Sequence, residues 1–143
     1  MTDKEKAPIG NVVKKHIDAN RGGSLIAVEA MNLFPDFPGL KSFYFIINEP
    51  QITKPRGGHY HKVKHEVMFA IKGVIKLTLR KGNENSSIVL ENRPEDSTIL
   101  VVYIPPGWWH EVEFLNEDAV LGVLASVNYE DTIKNHDDIR EIP

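Results

Sequence analysis

Short runs of β-branched and aromatic residues recur along this chain, separated by glycine, proline and asparagine turn signals roughly every 8–12 residues, and this rhythm confines the fold to the all-β class. The candidate strands are residues 24–29, 42–47, 66–71, 74–80, 87–90, 98–104, 109–114 and 120–127. In 74–80, Ile75, Leu77 and Leu79 alternate with Lys76, Thr78 and Arg80, the period-2 pattern of a sheet with one wet face. Lys72-Gly73 is expected to turn the strand before it into this one, and residues 81–85 to form a hairpin loop. Pro35 and Pro38 make 33–40 irregular. Only 130–139 has a helical pattern, with Asp131 as its expected N-cap. Residues 1–16 read as a polar, lysine-containing lead-in. About eight strands with almost no helix imply an all-β sandwich or barrel.

The 143 residues suit a single domain, 1–143, large enough to bury a core. It has no cysteine, which excludes disulfides, thiolate-zinc sites and cysteine nucleophiles. The net charge of −3 argues against nucleic acid as a partner. No apolar run approaches the ~20 residues of a membrane span, and the charged start MTDKEKAPIG lacks a signal-peptide core. A soluble, cytoplasmic protein with no membrane partner is expected.

Three of the six histidines fall in the stretch Arg56-Gly57-Gly58-His59-Tyr60-His61-Lys62-Val63-Lys64-His65-Glu66. In an extended chain His59 and His61 project to the same side, where they can share a metal or face one substrate. Residues 54–65 also carry Lys54, Arg56, Lys62 and Lys64 with no carboxylate, a composition suited to an anion, although a solvated turn would look the same.

The order His59-x-His61, Glu66, Gly73, and far downstream Pro105-x-Gly107-x-x-His110, resembles the two cupin motifs, although Thr53 and Ile99 stand where glycines usually open them. More closely, Asp18-x-x-Arg21-Gly22-x-x-Leu25, Arg56-Gly-Gly-His59-x-His61-Lys62, Pro106-x-x-Trp109-His110-Glu111 and Leu124-Ala125-Ser126 with Tyr129-x-Asp131 resemble the WxcM-like cupins. These include the dTDP-4-keto-6-deoxyglucose 3,4-ketoisomerases of deoxysugar biosynthesis, which serves lipopolysaccharide and other glycans. The likeness spans roughly 16–140. It implies a jelly-roll β-barrel, a homodimer that exchanges strands, a dTDP-linked keto-deoxysugar as ligand, and no metal. The strand at 24–29 is the expected one to exchange, because a sheet edge invites pairing with a second chain.

The same resemblance assigns His59 and His61 as catalytic, His59 as base and His61 as relay, a role that suits the one side chain titrating near neutral pH. Arg56, Tyr44, Lys62 and His110 are the expected substrate-binding residues. Trp109 should face away from His110 and serve packing; His16, His65 and His136 receive no site role. Tyr60 replaces a usual alanine, Glu66 a usual glutamine, and His110 stands where some relatives have arginine. The last two complete a ligand set of His59, His61, Glu66 and His110 for a divalent transition metal, so a metal-dependent oxygenase or isomerase remains an alternative. A non-catalytic sugar-binding module is the third class.

Overall fold

A computed structural model describes residues 6–18, 20–49 and 54–141. Among them are nine strands and two short helices: β1 (Ile9–Ile17), β2 (Ser24–Ile26), α1 (Ala30–Leu33), β3 (Ser42–Ile47), β4 (Arg56–His59), β5 (Glu66–Lys81), β6 (Glu84–Asn92), β7 (Thr98–Ile104), β8 (Trp109–Phe114), β9 (Val120–Ala125) and α2 (Tyr129–Lys134). All strand pairs are antiparallel. The result is the all-β barrel expected of the cupin class. No helix of the described residues is long and apolar enough to cross a membrane.

The hub is β5. Its first part pairs with β7 and β9, its second with β6 and β8. The expected turn at Lys72-Gly73 is absent; one strand of 16 residues runs through it. The register shifts between Ala70 and Lys72, and Gly73 takes φ 81°, so the backbone bends without reversing. A Cβ at Gly73 would lie 2.9 Å from Ala119 Cα, which leaves the bend to glycine. This corner lets one strand serve both halves of the barrel.

Alternation then sorts the side chains. Met68, Ala70, Ile75, Leu77 and Leu79 of β5 join Val102 and Ile104 of β7 and Leu121 and Val123 of β9 in the barrel interior. Val67, Phe69, Val101 and Tyr103 face the other way and are covered by Phe34 and Phe37 from the proline-containing stretch. Both phenylalanines pack on the Tyr103 ring, at 5.6 and 6.3 Å between centroids.

Several local expectations are corrected. The lead-in contains β1, which pairs with β7 from Ile9 to Lys14. Its signal is weak because only Val13 and Lys15 turn inward among exposed neighbours. β2 is shorter than the predicted 24–29, and β6 longer than 87–90. The hairpin between β5 and β6 is a two-residue turn, Gly82-Asn83. The tail helix is Tyr129–Lys134 with Asn128, not Asp131, at its N-cap position. After His136, at φ 52°, the chain runs back along the barrel, and Ile139 pairs with Tyr60.

Candidate active site

His59 ends β4 directly opposite His110 of β8. Gly57 and Gly58, at φ 83° and 71°, shift the register there and deliver the chain to His61 across the barrel mouth. The three imidazoles converge: ring centroids are 4.7 Å apart for His59–His61, 4.8 Å for His59–His110 and 5.4 Å for His61–His110. Glu66, the first residue of β5 and only 2% exposed, lies beneath them. Its Oε1 is 3.1 Å from Nε2 of His61 and 3.1 Å from Nε2 of His110.

The other ring nitrogens are held by the framework. His61 Nδ1 donates to the Asp137 carbonyl, and His110 Nδ1 to the Trp108 carbonyl at 3.0 Å. Carbonyls only accept, so both rings carry hydrogen on Nδ1 and turn Nε2 to the cavity. Asp138 Oδ1 lies 2.8 Å from His59 Nδ1, leaving that ring's Nε2 free for the cavity.

The second oxygen of Glu66 has its own partners. Tyr44 Oη, from β3, donates to Oε2 at 2.9 Å; Lys64 Nζ donates to Tyr44 Oη at 2.8 Å and is 3.6 Å from Oε2. Tyr129 of α2 meets the Tyr44 ring edge-on at 5.4 Å. Together these groups line a cavity of about 520 Å³ that also takes in Arg56, Asp138 and Arg140. Arg140 Nη1 donates to the Gly57 carbonyl at 2.7 Å and ties the tail to β4 beside Arg56.

Electrostatics separate the two motif histidines. Burial, and then the neighbouring His110 and His61, push His59 down to about 4 and hold it neutral. Burial also works against charge on His61, but the Glu66 carboxylate outweighs it and raises this ring above the usual histidine value. Glu66 is buried too, yet His110 and His61 keep it well below the usual carboxylate range. The Tyr44 hydroxyl is pushed up by burial and by Glu66 and stays protonated. One cavity thus holds a neutral imidazole beside one that favours its proton, a pair suited to acid–base exchange.

Of the residues expected from sequence, His59, His61, Glu66, His110, Tyr44 and Arg56 meet at this cavity. Lys62 does not. Its side chain is exposed and lines a separate groove with Tyr60 and His136. The turn after His61 breaks strand alternation and sends Lys64 inward instead. Of the basic stretch, Arg56 and Lys64 line the cavity, and Lys62 does not. His65, which has no site role, stacks on Tyr103, with Nδ1 2.7 Å from the hydroxyl. Trp109 packs under the Arg80 guanidinium, 5.2 Å from its ring, as parity predicted. Asp137, Asp138 and Arg140 carry no site signal in the sequence, because the returning tail has no strand pattern, and Tyr129 of α2 appears there only within a family motif.

Residues 11–142 match the family described as FdtA: WxcM-like, C-terminal. The TDP-4-oxo-6-deoxy-alpha-D-glucose-3,4-oxoisomerase of Aneurinibacillus thermoaerophilus is 33% identical over 130 residues, covering 90% of this chain and 86% of that protein. The structure of QdtA, a sugar 3,4-ketoisomerase from Thermoanaerobacterium thermosaccharolyticum solved with TDP, superposes with a TM-score of 0.71 at 30% identity, covering 92% of this chain and 88% of the other. The WlaRB TDP-quinovose 3,4-ketoisomerase of Campylobacter jejuni gives 0.71 at 30% identity, over 92% of each chain. With its fold and nearly its whole length shared in this way, the chain belongs to the FdtA, WxcM-like family.

Proposed function

We propose that this protein is a nucleotide-sugar 3,4-ketoisomerase acting on a dTDP-4-keto-6-deoxyhexose in deoxysugar biosynthesis. The observation that carries the reading is the pair His59 and His61, adjacent in one cavity and driven toward opposite protonation states. The substrates named for the relatives support the nucleotide and the sugar.

The reaction moves a carbonyl from C4 to C3 through an enediol. His59 takes the C3 proton, and the C4 oxygen, left carrying the charge, then gains one. A proton then returns at C4 while the C3 hydroxyl gives up its own, leaving the ketone at C3. Every proton removed is matched by one delivered, and no electrons enter or leave. His61, protonated above Glu66, relays the oxygen-bound proton. Tyr44 and His110 contact the sugar, and Arg56 with Arg140 at the mouth binds the diphosphate. These steps call on no cofactor. Adding the protein to dTDP-4-keto-6-deoxyglucose in D2O tests the reading by NMR. The 3-keto sugar with deuterium at C3 or C4 is expected, and an unchanged spectrum would leave only a binding module.

The pH dependence of kcat/KM follows from the two shifts. His59 must be neutral, so activity falls as pH drops through about 4. His61 must be protonated, so activity falls again as pH rises through a value above the ordinary ~6.5 of histidine. A bell displaced so that its acid limb lies at pH 6 or above would contradict this assignment.

The reading extends to a cytoplasmic homodimer with strand exchange at β2. That strand ends the sheet order, and Ile17 and Leu25 expose apolar surface on β1 and β2. Light scattering at micromolar concentration should give about twice the chain mass; a monomer would count against exchange.

One observation favours a second reading. Buried Oε1 of Glu66 lies 3.1 Å from Nε2 of His61 and 3.1 Å from Nε2 of His110, yet neither contact is aligned as a hydrogen bond. Donors held at ~2.1 Å around one ion are spaced about as far apart. Ligand nitrogens of His59, His61 and His110 lie within 4.8 Å of one another, and together with Glu66 they would hold a divalent transition metal, which would supply a Lewis acid to polarise the sugar carbonyl. Elemental analysis of protein purified without added metal separates the readings, a stoichiometric transition metal favouring the second.

A further inference from the structure

Lys64 is 3% exposed, and lysine is almost never buried so fully without a reason in its surroundings. Its ammonium has three N–H donors. One is given to Tyr44 Oη at 2.8 Å, and Glu66 Oε2 lies 3.6 Å away. The side chain still lines the cavity that holds the two motif histidines. Tyr44 meanwhile spends its single O–H on Glu66. Its hydroxyl therefore offers the cavity a lone pair and no donor.

This matters for the charge that the isomerisation creates. Loss of the C3 proton puts negative charge on the C4 oxygen until a proton reaches it, in a cavity whose floor already carries the Glu66 carboxylate. His59 is the base in that step and gains a proton only by making the charge. Arg56 and Arg140 lie at the mouth and are exposed. Lys64 is the buried, hydrogen-bonded ammonium on the wall beside Glu66. Resting on the ketoisomerase reading, we propose that Lys64 is a further catalytic residue, whose ammonium hydrogen-bonds the enediolate oxygen and offsets its charge in the transition state. A fixed donor aimed where charge develops lowers the barrier without tightening ground-state binding.

The test is a double-mutant cycle, because Lys64 could serve only to neutralise Glu66. Turnover of dTDP-4-keto-6-deoxyglucose is measured for wild type, Lys64→Met, Glu66→Gln and the double variant, with TDP binding followed by calorimetry. Lys64→Met should lower kcat about 100-fold, the scale of losing one oxyanion donor, and leave KM and the TDP affinity within about threefold. Deuterium entry at C3 should slow equally, since the enediolate forms in that step. In the Glu66→Gln background the carboxylate needs no counter-charge. There, a further loss of fivefold or more on adding Lys64→Met supports the proposal, and a smaller loss overturns it. That background also decides the matter if Lys64→Met alone fails to fold. Absence of turnover by the wild-type protein would instead overturn the ketoisomerase reading, and this proposal with it.

Discussion

Replacing His59 or His61 by asparagine is expected to lower turnover by about 10²–10⁴-fold, the range for positioned acid–base groups, while binding of TDP survives. Asparagine keeps a hydrogen-bonding head of similar reach but cannot exchange a proton near neutral pH. The losses should differ in kind. In His59→Asn the base is gone, and deuterium entry at C3 should disappear with product. In His61→Asn the base remains, so C3 exchange should persist above the rate of net isomerisation, because the relay between oxygens is what fails. The geometry underlies this split: His59 is neutral beside Asp138, whereas His61 lies on the Glu66 carboxylate. Either variant retaining more than a tenth of wild-type turnover would remove that histidine from the proton path. Equal loss of C3 exchange in both would erase the distinction between base and relay.

The parts of the fold legible in the sequence are those where one physical signal dominates. The interior strands β5, β7, β8 and β9 announce themselves because alternation or continuous apolarity leaves no other place for their side chains. β1 is hidden because only two of its nine residues are buried and one of those is Lys15. Its pairing is set by backbone contacts to β7, which composition does not report. The corner in β5 was read as a turn because glycine with positive φ serves both a reversal and a bulge. Only the hydrogen-bond register tells them apart.

The site divides along the same line. His59, His61, Glu66 and His110 were visible through motif spacing, and the register that places His59 opposite His110 explains why distant motifs meet. Lys62 and Lys64 could not be sorted, because a local excess of positive charge carries no direction. In the turn that follows His61 parity no longer holds, and the side chain facing the cavity is decided by the Asp137 carboxylate, 73 to 75 residues away. The tail was read as helix through Ile139. A helical pattern of exposed charges and an extended return with the same charges look alike until a partner is known.

Asp137→Ala is expected to lower stability by about 3–5 kcal/mol, for a reason rooted in that turn. The buried carboxylate accepts from three consecutive backbone N–H groups: Lys62 at 2.8 Å, Val63 at 3.2 Å and Lys64 at 3.1 Å. Each hydrogen bond to a charged group contributes about 1.5–3 kcal/mol, and removing the acceptor leaves part-buried donors unmatched. Water entering the vacated space recovers part of this, which sets the estimate below the full sum. For a domain of this size the loss should appear as a fall in Tm of about 10–20 °C. Asp137→Asn should recover part of the loss, since its amide oxygen can still accept from Lys62 and Val63 while its NH2 faces the Lys64 N–H. Activity should fall further than stability alone explains. The Asp137 carbonyl holds His61 Nδ1, so a loosened turn frees the ring that lies on Glu66. Adding saturating TDP would restore part of the Tm by mass action but not kcat, because the ligand stabilises the folded state without fixing the imidazole. A variant melting within about 2 °C of wild type would show that the turn holds its shape without the carboxylate, and would remove Asp137 from the support of His61.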